Sequence, residues 1–139
     1  MSVLVDTSVW SLAFRRQAGA VPKDAVELAR LITDGDARII GPIRQEVLSG
    51  LKSRRQFDVL KERLRAFPDV EMDSLDFEEA ADLSNKCRAR GIQGSSIDFL
   101  ICAVARRHHF SIFTTDKDFV NFQKVLRLSL HRGRAPGGV

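Results

Sequence analysis

The chain has 139 residues, 44% of them hydrophobic, which fits one compact domain with enough apolar material for a core. Lys and Arg number 22 against 18 Asp and Glu, a net charge of +4 that admits a polyanionic partner without requiring one. No apolar run is long enough to span a bilayer and no secretory leader is recognisable, so a cytoplasmic setting is expected, with Cys87 and Cys102 as buried free thiols.

The hydrophobic period alternates along the chain between strand-like and helix-like. Residues 2 to 6 read as a buried central strand, because a short unbroken apolar run is poor material for an exposed helix. Thr7 or Ser8 caps a helix carrying Trp10, Leu12 and Phe14 before Gly19. Pro22 opens a second helix, with Ala25, Leu28, Ala29 and Ile32 on one face, that runs to Gly35. Residues 37 to 41 form the next strand, and Pro42 starts the helix bearing Glu46, Val47 and Leu51. Phe57, Leu60, Leu64 and Phe67 continue at helical spacing until Pro68, after which Val70-Glu71-Met72 is a short strand candidate. A helix over residues 76 to 90 ends at Gly91, a good C-cap residue. A helix holding Asp98 follows and ends near His108-His109, then a strand at 111 to 115, a short helix through Phe119 and Phe122, and a last strand near 126 to 130. The expected fold is α/β, a three-layer α/β/α sandwich around a mainly parallel sheet of about four to five strands. Residues 1 to 131 make the domain, and residues 132 to 139, rich in Gly, Arg and Pro, read as a flexible tail.

Four acids fall at matching places in this topology. Asp6 follows Val3-Leu4-Val5, Glu46 lies just inside the helix after Arg38-Ile39-Ile40, Asp98 opens the helix Ser96-Ile97-Asp98-Phe99-Leu100-Ile101, and Asp116 follows Ile112-Phe113-Thr114-Thr115. In a parallel α/β sheet the strands end and the returning helices begin at one carboxyl edge, so the four carboxylates should converge there. Taken singly, Glu46 and Asp98 also suit the first turn of a helix, where an acid complements the dipole by roughly 0.3 to 1 kcal/mol. Two carboxylates about 5 Å apart repel by about 3 kcal/mol at an effective dielectric of about 20, so a cluster of four calls for protons or a cation. Oxygen ligands without His or Cys point to Mg²⁺ or Mn²⁺ rather than Zn²⁺.

In order along the chain, Val5-Asp6-Thr7-Ser8, Gln45-Glu46-Val47, Arg90-Gly91-Ile92 with Ser96-Ile97-Asp98-Phe99-Leu100-Ile101-Cys102-Ala103, and Thr114-Thr115-Asp116-Lys117-Asp118-Phe119 resemble the segments of PIN-domain nucleases, most closely the small VapC-type toxins. The resemblance runs from residue 3 to about residue 130. It implies a metal-binding acidic pocket of Asp6, Glu46, Asp98 and Asp116. Asp118 would be an auxiliary acid or the cap of the short helix, and the hydroxyls of Thr7, Ser8 and Thr114 would orient ligand or water or serve as caps. The implied chemistry is endoribonuclease hydrolysis of RNA by metal-activated water. The implied partners are a cognate VapB-type antitoxin, whose C-terminal segment lies over a groove, and a second copy in a homodimer. Trp10, Phe14 and the apolar positions of the helix after Pro22 are candidates for that groove.

Phosphates would be held outside the acids by Arg15, Arg16, Lys52, Arg54, Arg55 and Arg88, whose alternative is a solvated surface, and Arg132 and Arg134 in the tail would be further RNA contacts. His108 and His109 sit at the far end of the Asp98 helix, where cations favour a C-terminus. A PIN ribonuclease of RNA processing without an antitoxin is the alternative in the same class. A non-catalytic RNA-binding module would not need the acids. A phosphoaspartate hydrolase would want a second acid two residues after Asp6, where Ser8 stands.

Overall fold

The computed structural model describes residues 1–14 and 19–133; Arg15, Arg16 and Arg134 lie outside the described residues. Strand β1 (Val3–Val5) leads into α1 (Thr7–Phe14) and α2 (Lys23–Thr33), followed by β2 (Ala37–Arg38), α3 (Gly41–Ser49) and α4 (Arg54–Leu64). The second half holds α5 (Ser74–Ala89), α6 (Ser96–His108), β3 (Ser111–Phe113) and α7 (Asp118–Phe122). The three strands among the described residues are parallel, in the order β2-β1-β3. The central strand pairs Val3 with Ala37 and Ser111, Leu4 with Arg38 and Ile112, and Val5 with Phe113. Covered on both faces and both edges, Val3, Leu4 and Val5 are all buried, which is why β1 has no polar alternation.

Helices flank this sheet, giving the expected α/β architecture with fewer strands than the about four to five the pattern indicates. The stretches at 70–72 and 126–130 do not become strands. Each touches the sheet once, through bridges Ile39↔Asp69 and Ile112↔Leu130. The first stretch is tied by the Val70 N–H to the Ile39 carbonyl at 2.9 Å, and the edge it faces ends where α3 begins at Gly41. In the second, turns continue from α7 as far as the Leu126 N–H bond to the Phe122 carbonyl, leaving residues 129 to 131 to reach the β3 edge.

Local chemistry sets the helix ends. Pro42 occupies the first turn of α3, where its missing N–H costs nothing. Beyond α5, Gly91 takes φ +74°, so that the Ile92 N–H folds back to the Cys87 carbonyl at 2.9 Å, a closure that a side chain would strain. The buried run Ile101 to Ala105 makes α6 the most enclosed helix, packed along α5. In α1, Trp10 is fully buried, with its indole N–H donated to the Val5 carbonyl at 3.0 Å and its ring against Phe67 at 5.2 Å. It belongs to the core, not to a groove. No described helix is long and apolar enough to cross a membrane.

Candidate metal centre at the carboxyl edge

Asp6 leaves the end of β1 with its side chain buried. One oxygen accepts the Thr7 N–H at 2.8 Å, and the other accepts the hydroxyls of Ser8 at 3.1 Å and Thr114 at 2.7 Å. Burial raises its pKa above the ordinary value; the three donors pull it back and the Asp116 charge pushes it up again, with burial prevailing. The hydroxyls also organise the facing loop, since Ser8 Oγ accepts the Thr115 N–H at 3.1 Å and Thr114 Oγ1 accepts the Asp116 N–H at 3.0 Å.

Asp98 forms a capping box with Ser95 at the start of α6. Its carboxylate accepts the Ser95 N–H at 3.0 Å, while Ser95 Oγ accepts the Asp98 N–H at 3.1 Å. Burial again raises the pKa, the Ser95 bonds oppose it, and the charges of Asp6 and Asp116 add to the rise. Asp116 closes the N-terminus of α7, accepting the Asp118 N–H at 2.9 Å. The capping role expected of Asp118 therefore falls to Asp116, because an Asx side chain reaches the amide two residues ahead. Freed from that duty, Asp118 joins Asp98 and Asp116, and carboxylate oxygens of the three lie within 4.8 Å of one another.

Glu46 stands farther out. It is exposed on α3, and Thr7 Oγ1 donates to it at 2.6 Å. Thr7 thus holds Asp6 with its amide and Glu46 with its hydroxyl. Of the expected four acids, Asp98 and Asp116 come together with Asp118, Asp6 is enclosed by its donors, and Glu46 is joined to the group through Thr7. A set of oxygen donors this close suits a hard divalent cation.

The expected cations spread over separate places. Lys52, Arg54 and Arg55 are exposed around the start of α4, where Arg54 pairs with Asp58 at 3.2 Å and lies over the Phe57 ring at 5.1 Å. Arg88 is exposed near the end of α5. Between α1, α3 and α4 runs a groove of about 900 Å³, lined by Phe14, Val47, Leu51, Val59 and Leu60 with Arg55 and Arg63 among them. The sequence period puts these apolar residues on helix faces without telling which faces remain uncovered.

Residues 3–125 match the family model of the PIN domain. The fold resembles that of FitAcB from Neisseria gonorrhoeae, with a TM-score of 0.75 and 22% identity over 94% of this chain and 96% of that one. It also resembles VapBC2 from Rickettsia felis bound to a DNA fragment from their promoter (TM-score 0.75, 16% identity, 94% and 98% of the chains). A toxin–antitoxin complex from Klebsiella pneumoniae is similar at a TM-score of 0.62 and 20% identity, over 91% and 97%. No curated protein sequence matches the chain. A parallel sheet with acids gathered at its carboxyl edge and a family match spanning nearly every element lead to one assignment: the chain belongs to the PIN domain family.

Proposed function

We propose that this chain is the toxin of a VapBC-type toxin–antitoxin pair and acts as a Mg²⁺- or Mn²⁺-dependent endoribonuclease. The observation that carries the reading is the meeting of Asp98, Asp116 and Asp118 within 4.8 Å beside the buried Asp6, in a PIN-domain chain. Asp98, Asp116 and Asp118 would hold the ion, with Asp6 behind them and Glu46 at the rim. When bound, such an ion activates water and neutralises charge developing on a phosphodiester.

The chain's own residues prepare that site. Thr114 and Ser8 fix the Asp6 carboxylate, Ser95 aims Asp98, and Thr7 orients Glu46. Burial above all raises the proton affinities of Asp6 and Asp98, the neighbouring carboxylate charges add to the rise, and a bound cation would offset both. Lys52 and Arg55 supply positive charge for RNA phosphates. The apolar groove of Phe14, Val47, Leu51, Val59 and Leu60, rather than Trp10 and α2, suits an antitoxin segment laid across it. Self-association as a homodimer belongs to the same reading, and light scattering at micromolar concentration tests it.

The deciding experiment incubates purified protein with RNA in Mg²⁺, Mn²⁺ or EDTA. Cleavage should require the metal and fall at least about 100-fold in Asp6→Asn and Asp116→Asn, since each carboxylate serves metal capture and orientation together. Equal cleavage in EDTA would overturn the mechanism. Full activity of both variants would overturn the site. The antitoxin part is tested separately, by adding the product of the adjacent gene and looking for loss of cleavage.

A further inference from the structure

A second cleft lies beside the loop that leads to Asp98, and it contains Arg88, one of the cations expected to hold phosphate. It encloses about 250 Å³ between the end of α5 and the loop leading into α6, and is lined by Ser84, Arg88, Gln93, Gly94 and Phe99 among others. Its position relative to the metal centre follows from the chain itself. Gly94 precedes Ser95, whose N–H binds the Asp98 carboxylate, and Phe99 directly follows Asp98. The cleft therefore adjoins the loop that caps Asp98.

The lining has the chemistry of a nucleotide. Arg88 is exposed and has no carboxylate partner among the described residues; its guanidinium meets only the Asn85 side-chain oxygen, at 3.4 Å. The Gln93 side chain is exposed and makes no hydrogen bond among the described residues, leaving an amide with both donor and acceptor free. Phe99, 2% exposed and packed on Phe122 at 5.0 Å, is the core floor beneath the cleft rather than an open stacking face. Gly94 lets the loop lie directly on the aromatic pair, since a Cβ there would overlap the Phe122 ring and press on Phe99.

We propose that this cleft is a subsite for one nucleotide of single-stranded RNA flanking the scissile phosphodiester. Arg88 binds the phosphate and the Gln93 amide reads the base edge. The proposal rests on the ribonuclease reading for the identity of the polymer. It adds a specificity-determining position on the α5–α6 side, away from the groove between α1, α3 and α4.

The test is binding of a fluorescently labelled single-stranded RNA 12-mer by the full chain, with Ca²⁺ replacing Mg²⁺ to suppress cleavage, for wild type, Arg88→Ala and the control Arg65→Ala. Arg65 is exposed at the far end of α4 and removes the same charge. Arg88→Ala should weaken binding about tenfold and reduce the slope of log affinity against log salt by about 0.7, the loss of one single-strand phosphate contact, while Arg65→Ala changes neither. In Mn²⁺, Gln93→Ala should flatten the cleavage preference among RNAs that differ at one flanking base. Equal effects of the two arginine variants would mean that net charge alone acts, and would overturn the phosphate contact. An unaltered preference in Gln93→Ala would overturn the base contact. Arg88-dependent binding without cleavage in Mn²⁺ would sink the nuclease reading and leave the subsite standing, whereas metal-dependent cleavage indifferent to Arg88 would do the reverse; no RNA binding at all overturns both.

Discussion

Asp98 carries two opposed duties, and Asp98→Asn separates them. As a member of the acid cluster it lies within 4.8 Å of Asp116, a separation at which two unit charges repel by about 1 kcal/mol in water and about 3 kcal/mol at an effective dielectric of 20. Both side chains are half-buried, so about 2 kcal/mol of repulsion is the reasonable value for the metal-free protein. As the third residue of α6 it also complements the helix dipole, worth about 0.3 to 1 kcal/mol. Asparagine keeps an oxygen for the Ser95 N–H and loses only the charge. Relief should therefore win by about 1 kcal/mol, raising the melting midpoint in EDTA by roughly 3 °C for a domain of this size. Saturating Mn²⁺ at about 100 times Kd stabilises by about 2.7 kcal/mol, so wild type should gain roughly 8 °C and the variant clearly less. The pH dependence has a fixed sign. Because Asp98 and Asp6 bind protons more tightly folded than unfolded, the metal-free protein gains stability as pH falls from neutral through their raised values toward the ordinary 3.8, and Asp98→Asn should lose part of that gain. Thermal melts of both proteins, with EDTA and with Mn²⁺, decide the matter. A variant less stable than wild type in EDTA, with the same metal shift, would reduce Asp98 to a cap.

Thr114→Val removes the donor to Asp6 and the acceptor for the Asp116 N–H together, so cleavage should fall about tenfold or more and return in Thr114→Ser; a fully active valine variant would refute the positioning role. Glu27, buried on α2, is bonded by Arg30 Nε at 2.8 Å and by His131 Nε2 at 2.5 Å, and the Arg30 bond above all holds its pKa below the ordinary 4.5, against burial and with help from His131. Its pairing stabilises above pH 4.5 and is lost as pH falls through the lowered value, so Glu27→Gln should cost about 2 kcal/mol at neutral pH and flatten the acid limb of a urea-midpoint curve. An acid limb of unchanged slope would show that Glu27 does not titrate in unfolding. Val59, 45% exposed in the groove, can become Asp with little effect on melting, but the charge should abolish co-purification with the antitoxin; a retained complex would move the docking surface elsewhere.

Local signals were readable where a proline, a glycine or an unbroken apolar run decides the outcome, but not at the cap of α1, where Asp6 stands in place of the expected Thr7 or Ser8. Pro42 opens α3, Gly91 follows α5 with positive φ, and the apolar Val3-Leu4-Val5 can only be a strand buried on both faces. Outcomes set by distant packing were not readable. Trp10 and Phe14 share one helix face and stack at 6.2 Å, yet only Trp10 is covered by Phe67, a residue more than fifty positions away. Residues 70–72 and 126–130 resemble strands in composition, but pairing needs a neighbour in register, and each finds only a single bridge. At the site, Ser95-Ser96-Ile97-Asp98 could have been read as a capping box from its spacing. The company that Asp118 keeps depends on Asp116 taking the amide two residues ahead, a choice between two neighbouring aspartates that pattern alone leaves open.

The single bridge at Leu130 bears on how this protein behaves when it is abundant. A parallel sheet of three short strands has an outer rim of backbone donors and acceptors beside β3, and such a rim recruits other chains into intermolecular sheets. Here it is occupied: Ile112 donates to the Ser129 carbonyl at 2.8 Å and accepts from His131 N–H at 2.7 Å, the hydroxyls of Ser111 and Ser129 meet at 3.0 Å, and His131 is fastened to Glu27 on α2. The segment thus leaves the β3 edge without a row of free donors and acceptors at Ile112. Because Leu128 and Leu130 of the same segment also pack on the core, losing it would uncover apolar surface together with the open edge.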